Sequence, residues 1–203
     1  MKIDLTEIYA QLEAWREERK ITAESQKAGY LVNVMEEFGE LAGALRCYEQ
    51  IKEFLNKNKV GMCGYQHHKH SLMLIEAEHE IIDALCNISV LTINAGMELP
   101  CEVKPLIIVL KDEFSVADIF VAIADFIRTD ANGSPFNYYD FARILKDCAG
   151  VCEQYGFNYE IAMLETIKQF SSNTGKEYKA DYEKAKIKDT KQGLNDMKQT
   201  MKR

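Results

Sequence analysis

Two short stretches carry the side chains best suited to chemistry. Glu36-Glu37-Phe-Gly-Glu40 and Glu80-Ile-Ile-Asp83 each lie in a segment whose apolar residues recur at helical spacing. On a helix with about 3.6 residues per turn, Glu37 and Glu40 share one face, and Glu80 and Asp83 share another. We therefore expect four carboxylates to face one another across a groove between two helices.

Carboxylates gathered between packed helices need a positive partner, because each loses water and is repelled by its neighbours. A hard divalent cation meets that need. Mg²⁺ in particular is usually held by a few carboxylates together with water and substrate phosphates. The two stretches therefore predict a Mg²⁺ site, with Mn²⁺ as the alternative ion, and chemistry on phosphates.

The same residues resemble a known signature. Glu36-Glu37-x-x-Glu40 followed on a later helix by Glu80-x-x-Asp83 is similar to the motif pair of the all-α nucleoside triphosphate pyrophosphatases, which include MazG proteins and dimeric dUTPases. The resemblance covers residues 26–96, about a third of the chain. The interval between the motifs is longer than the family's usual one, which indicates an inserted loop.

The resemblance implies a fold and an activity. The fold would be an all-α helical bundle with a four-helix core of the MazG-like type. The activity would be Mg²⁺-dependent cleavage of a (deoxy)nucleoside triphosphate to the monophosphate and pyrophosphate, as housekeeping of the nucleotide pool. Glu37, Glu40, Glu80 and Asp83 would be the metal ligands, with Glu37 or Glu40 as the catalytic base. Family members commonly dimerise, so a homodimer or higher homo-oligomer is expected.

Other positions are predicted to support this site. Asn33 and Asn87 lie on the carboxylate stripes and can both donate and accept, so either could bind the base or sugar of a substrate. Glu36 lies about 100° around the helix from Glu37, and with Glu76 it is expected to support the ligands without binding the ion. Family members take phosphate contacts from later helices; the candidates by location are Lys168, Asn173, Lys176, Lys179 and Tyr182.

Three further groups have competing interpretations. Trp15 could stack on a base, although a single Trp at helical spacing more often belongs to the core. Cys63 with His67, His68 and His70 suggests zinc, but the spacing matches no zinc finger and histidines in a Lys-rich loop are usually exposed. The six cysteines lack the spacing of a disulfide framework, so reduced thiols are expected.

Periodicity and capping signals predict the elements that position these residues. The first helix should run from Asp4 to near Lys20, and Gly96 should form a left-handed cap after the second ligand helix. The remaining predicted boundaries are a first ligand helix from Thr22 or Ser25 to about Leu55, a loop over 56–71, a second ligand helix over 72–95, a helical 105–110, and helices over 115–127, 134–156 and 158–170.

Length and charge limit the classes of function. The 203 residues suffice for one buried core, and one domain over 1–203 is the default. A net charge of −7 argues against a general nucleic-acid binder. Residues 176–203 carry nine Lys or Arg against five Asp or Glu, which predicts a polar, basic tail on an acidic body. No apolar run is long enough for a membrane span and the first residues do not resemble a signal peptide, so a cytoplasmic protein is expected.

Two rival functions remain open from the sequence. A carboxylate-bridged di-metal bundle, such as a di-iron protein, could use Glu76-x-x-His79, but such sites want two Glu-x-x-His motifs and the sequence offers one. A helical interaction module could retain the fold without activity, since the long loop leaves room for a change of role. The type of base, the number of metal ions and the acceptance of diphosphates are left open.

Overall fold

A computed structural model describes residues 2–58, 61–97, 107–110, 114–131, 138–172 and 180–187. The described residues are almost entirely helical, which confirms the all-α class. Within these ranges there are six α-helices: α1 Thr6–Arg19, α2 Ala23–Lys57, α3 Gly64–Ala95, α4 Val116–Ala131, α5 Tyr138–Gln154 and α6 Tyr159–Ser171. They are accompanied by two three-residue strands, β1 Lys2–Asp4 and β2 Ile107–Val109, and by a short 3-10 helix, Tyr182–Ala185.

The two longest helices, α2 and α3, form an antiparallel hairpin. Phe54 of α2 stacks on His70 of α3, with ring centroids 4.5 Å apart. About five helical turns from that end, Glu37 bonds to Asn87, and Tyr30 bonds to Thr92 further along. This register is what brings the middle of one predicted motif helix against the middle of the other.

Helix α3 lies at the centre of the bundle. It packs against α1, α2, α5 and α6, and most of its residues from Ala77 to Ala95 are buried. Because the side chains of an apolar helix lose water on nearly every side, such a helix is held by tertiary packing more than by its own propensity. The buried side chains of all six helices join one hydrophobic cluster, so α3 is a fixed platform for its polar residues.

Several helix ends follow from local sequence, as predicted. Thr22 Oγ1 accepts from Ser25 N at 3.3 Å and begins α2. Asn158 Oδ1 accepts from Ile161 N at 2.9 Å and begins α6. Ser115 and Asp118 bond reciprocally at the start of α4. In each case a short polar side chain satisfies backbone N–H groups that have no partner within the helix.

The prediction for Gly96 is wrong in conformation. Its φ is −88°, so the residue is not left-handed. The glycine is required for a different reason: a Cβ at this position would lie 2.4 Å from the Cε2 atom of Phe141. The ring of α5 therefore packs directly on the backbone at the end of α3.

The predicted loop over 56–71 is too long. Helix α2 continues to Lys57 and α3 already begins at Gly64, so His67, His68 and His70 lie on the first turns of a helix. The polar sequence hid this helix, since its early turns carry few apolar residues and extend along α2 with much of their surface exposed. The described residues of 56–71 are thus mainly helical and lengthen both arms of the hairpin.

The helical prediction for 105–110 is also wrong where residues are described. Ile107–Val109 form a strand that pairs antiparallel with Lys2–Asp4, with Ile3 opposite Ile108. Both of these isoleucines are buried. The β-branched residues favour this pairing, and its partner lies about a hundred residues earlier in the chain.

The tail predicted to begin near residue 176 is anchored in part. Residues 180–187, hereafter the 180–187 segment, return to the bundle with Tyr182 and Ala185 buried. Asn158 N donates to Ala185 O at 2.6 Å, and Ile187 N donates to Gly156 O at 2.8 Å. The segment is thus held by two buried side chains and by backbone hydrogen bonds. Hydrophobic periodicity does not detect such a combination. None of the described helices combines the length and the apolar character needed to span a membrane.

Candidate functional site

The amide of Asn87 joins the two predicted motif helices. Its Nδ2 donates to Glu37 Oε2 on α2 at 3.1 Å and to Asp83 Oδ2 on α3 at 3.3 Å. One amide nitrogen has two hydrogens, so both carboxylates can be satisfied by the same group. Glu37 and Asp83, one from each motif, therefore face each other across the helix pair, as the spacing predicted.

Glu37 is electrostatically unusual. The pKa of Glu37 is raised to about 7, mainly by burial and further by the negative charges of Glu40, Asp83 and Glu36, while the bond from Asn87 opposes the shift. A carboxylate in this position is poised to exchange a proton or to accept a cation near neutral pH. The electrostatic influence of Glu40 also places its charge close to Glu37.

Asp83 is held on its other side by the 180–187 segment. The hydroxyl of Tyr182 donates a short hydrogen bond to Asp83 Oδ1. Tyr182 also lies 2.9 Å from the hydroxyl of Thr166 on α6. Burial raises the pKa of Tyr182 well above its usual range, with the charge of Asp83 adding to the effect. The phenol therefore stays protonated and acts as a donor to the carboxylate.

The other acidic residues lie further out. Glu40, Glu76 and Glu80 are exposed. Within the described part of the chain, no hydrogen bond or ion pair links Glu76 or Glu80 to Glu37 or Asp83. Likewise, no group of three or more His, Cys, Asp or Glu side chains among the described residues is arranged to hold a metal ion. The four predicted ligands are thus brought to the same pair of helices without forming one closed shell.

A cavity of about 220 Å³ opens beside Glu37. Its lining includes residues that the sequence predicted for substrate binding (Asn33 and Asn87), for support of the ligands (Glu36) and for stacking on a base (Trp15). Trp15 is half-buried and donates from Nε1 to Phe170 O at 3.4 Å, so it lines the cavity wall and is not a simple core residue. The full lining is Trp15, Gln26, Asn33, Glu36, Glu37, Asn87, Val90, Leu91, Asn94 and Phe170.

Sequence reasoning missed Asn94 and Arg16. Asn94 lines the cavity and is almost fully buried. Its Oδ1 accepts from Arg16 Nη1 at 2.9 Å. Since Arg can only donate, the amide is fixed with its oxygen toward Arg16. Two signals could have found this pair: Asn94 follows Asn87 by two helical turns on the same stripe, and Arg16 occupies the apolar register of α1 after Leu12.

The predicted phosphate-binding residues have different outcomes. Lys168 is largely exposed and pairs with the buried Glu165 of its own helix at 2.8 Å. It does not line the cavity. Tyr182 reaches the site, but as a buried donor to Asp83. Asn173, Lys176 and Lys179 lie outside the described residues.

The residues present fit a weakly held divalent cation better than a closed metal centre. Mg²⁺ commonly binds through one or two carboxylates and keeps water and substrate phosphates as its other ligands. Glu37 and Asp83 supply two carboxylates, and the buried Oδ1 of Asn87 has no hydrogen-bond partner among the described residues. This acceptor belongs to the same amide whose nitrogen bonds to both carboxylates, and amide oxygens are ligands that a hard ion accepts.

Two competing interpretations receive no support from the geometry. His79 of the Glu76-x-x-His79 motif bonds through Nε2 to Glu183 Oε1 at 3.1 Å and packs on Phe157 and Tyr182. His70 stacks on Phe54 and bonds to the carbonyl of Gln66. Among the described cysteines, Cys47 and Cys63 are exposed thiols and Cys86, Cys148 and Cys152 are buried thiols. Cys101 lies outside the described residues.

The chain was compared with protein-family models, with curated proteins and with solved structures, and it matches none of them.

Proposed function

We propose that the protein is a Mg²⁺-dependent nucleoside triphosphate pyrophosphohydrolase, releasing a nucleoside monophosphate and pyrophosphate. The observation that carries the proposal is the Asn87 amide, which bonds to both Glu37 and Asp83 and lines a cavity together with Glu37. The resemblance of the two motifs to the MazG-like pyrophosphatases supports the same reaction class. Mn²⁺ is the alternative ion.

The surroundings of each carboxylate suggest its role in the reaction. A bound divalent cation would neutralise phosphate oxygens and acidify an attacking water. Glu37 and Asp83 would hold that cation, with Glu40 and Glu80 reaching it directly or through water. Glu37 is also a candidate to accept the proton of that water, since it lies beside the proposed cation. Glu40 is the second candidate for this role, since it is exposed beside Glu37.

The cavity suits the nucleoside part of the substrate. Trp15 and Phe170 line it with rings whose centroids are 6.1 Å apart, which provides apolar surface for a base. Asn33 and Asn94 add amide groups that can donate or accept. A site that combines apolar walls with a few placed polar groups is typical of small-molecule binding.

A homodimer stays part of the proposal. Val32 is 69% exposed and Leu31 is 50% exposed on α2, close to the carboxylates in sequence. Such apolar residues on a helix surface favour contact with a second copy. A cytoplasmic location likewise stays a prediction from the sequence.

The direct test is incubation of the purified protein with each (deoxy)nucleoside triphosphate and Mg²⁺, followed by chromatography of the products. We expect monophosphate and pyrophosphate from at least one substrate. Glu37→Gln and Asp83→Asn should each lower kcat/KM about 100-fold or more, since each removes charge from the cation site. Glu49→Gln is the matched control, because Glu49 lies on α2, is exposed and pairs with Lys52 one turn along the same helix.

Three other outcomes would contradict the proposal. Release of diphosphate and inorganic phosphate would indicate a different bond cleaved. Absence of turnover with every nucleotide would favour an interaction module. Bound iron with an absorbance band would favour the di-metal alternative.

A further inference from the structure

The side chain of Asp83 has two oxygens with different partners. Oδ2 accepts from Asn87 on the side that faces Glu37. Oδ1 accepts from the hydroxyl of Tyr182, which comes from the 180–187 segment and not from any of the six helices. The carboxylate is therefore fixed at both ends, and one of the two contacts depends on whether this segment is docked.

Tyr182 is itself held in place by buried neighbours. It is 4% exposed, and its hydroxyl lies 2.9 Å from Thr166 Oγ1, which also donates to Ala162 O at 3.0 Å. The phenol has a single hydrogen, and a carboxylate can only accept, so that hydrogen is directed at Asp83. The ring of His79 packs edge-on against Tyr182 at 6.1 Å. The hydroxyl thus has one available orientation toward the acid.

Ion pairs hold the rest of the segment against α3 and α6. Lys186 pairs with Glu78 of α3 at 3.3 Å, and Lys184 pairs with the buried Glu165 of α6 at 3.4 Å. Except for Glu165, these side chains are partly exposed, and exposed pairs contribute little each. Undocking the segment is therefore opposed mainly by the burial of Tyr182 and Ala185, by the backbone hydrogen bonds that join Ala185 and Ile187 to residues 156–158, and by the bond to Asp83.

We propose that Tyr182 is a positioning residue for Asp83, so that cation binding at Asp83 and docking of the 180–187 segment stabilise each other. The inference rests on the proposed function only in assigning a cation to Asp83. The charge-assisted hydrogen bond from Tyr182 to Oδ1 fixes the other oxygen, Oδ2, on the side that faces Glu37. Because coupling between two equilibria is reciprocal, each process must strengthen the other by the same factor.

The test uses Mn²⁺ alone as the probe, with the full chain. Tyr182→Phe should weaken Mn²⁺ binding, measured by electron paramagnetic resonance, about tenfold, as expected for a lost bond to a charged group. In the wild-type protein, saturating Mn²⁺ should slow amide hydrogen exchange in the 180–187 segment. That slowing should be absent in Tyr182→Phe.

Tyr159→Phe is the matched control. Tyr159 is fully buried on α6, and among the described residues its hydroxyl makes no hydrogen bond to Asp83, so this variant removes a buried phenol oxygen without touching the site. We expect wild-type Mn²⁺ affinity and wild-type slowing of exchange. A general loss of packing would instead weaken Mn²⁺ binding in both variants and would overturn the inference.

The inference and the proposed function fail in different ways. Unchanged Mn²⁺ affinity in Tyr182→Phe, with nucleotide hydrolysis by the wild-type protein intact, overturns the positioning role alone. Mn²⁺ binding coupled to the segment without hydrolysis of any nucleotide overturns the proposed activity alone. A wild-type protein that binds no Mn²⁺ overturns both.

Discussion

Two buried acids show how the same physical effect can have different uses. Burial is the largest cause of a raised pKa for both Glu37 and Asp147. Glu37 lines the cavity near other carboxylates, where a cation could neutralise its buried negative charge. Asp147 lies on α5, where Arg143 and Lys146 lower its pKa and Asp118 raises it. Glu37 therefore has an open space beside it for a ligand.

The surroundings of Asp147 predict a pH dependence of stability. Its pKa is raised to about 6 from an ordinary value of 3.8, and Arg143 Nε lies 3.6 Å from Oδ2, beyond good hydrogen-bond distance. Between about pH 4 and pH 6 the folded state therefore binds more protons than the unfolded state, so the free energy of unfolding falls as pH rises.

Asp147→Asn should remove this contribution. We expect the free energy of unfolding above pH 6 to increase by about 1 to 2 kcal/mol, because the variant buries no charge, while at low pH it should differ little from the wild type. Urea unfolding across the pH range measures both. Glu49→Gln, at an exposed carboxylate of α2, should leave the profile unchanged. A lower stability of Asp147→Asn at high pH would show that the pair with Arg143 outweighs the burial of the charge.

At the scale of the element, packing determines the end of α3. Gly96 has a φ that any residue can adopt, yet the Phe141 ring occupies the space that a Cβ would need. In contrast, a Cβ on Gly39 of α2 would meet nothing within 4 Å. Substitution of Gly96 therefore tests a steric role, whereas substitution of Gly39 tests only helix propensity.

Gly96→Ala should destabilise the protein by about 1 to 3 kcal/mol through overpacking against Phe141. Gly39→Ala should stabilise it by up to about 1 kcal/mol, since alanine is the better helix former. Chemical denaturation of both variants gives the comparison. Equal and stabilising effects at the two positions would contradict the assigned role of Phe141.

The elements that could be predicted are those with local signals. Thr22, Ser115 and Asn158 each accept a hydrogen bond from a backbone N–H three residues later. The start of each helix can therefore be predicted from the adjacent residues. The strand at 107–109 depends on a partner near the other end of the chain. The early turns of α3 lack apolar periodicity and are specified by packing along α2. Both features required knowledge of which segments meet.

At the scale of the whole molecule, the sequence predicts which helix faces carry carboxylates. It does not predict the distances between those carboxylates, because helix packing determines them. The α2–α3 hairpin brings Glu37 and Asp83 to one amide, as the spacing indicated. Glu80 is on the predicted helix but makes no described contact with that pair. Asn94 and Tyr182 enter the site only through the burial of α3 and the return of the 180–187 segment. These depend on tertiary structure that periodicity does not contain.

The central claim is that carboxylates of α2 and α3 hold a divalent cation beside the cavity. The most direct measurement is an anomalous difference map from crystals grown with Mn²⁺ and a nonhydrolysable nucleoside triphosphate analogue. The account predicts a peak between Glu37 and Asp83, with the analogue's phosphates on the open side of the ion and its base beside Trp15. A map with ordered side chains and no peak between those two carboxylates would contradict it.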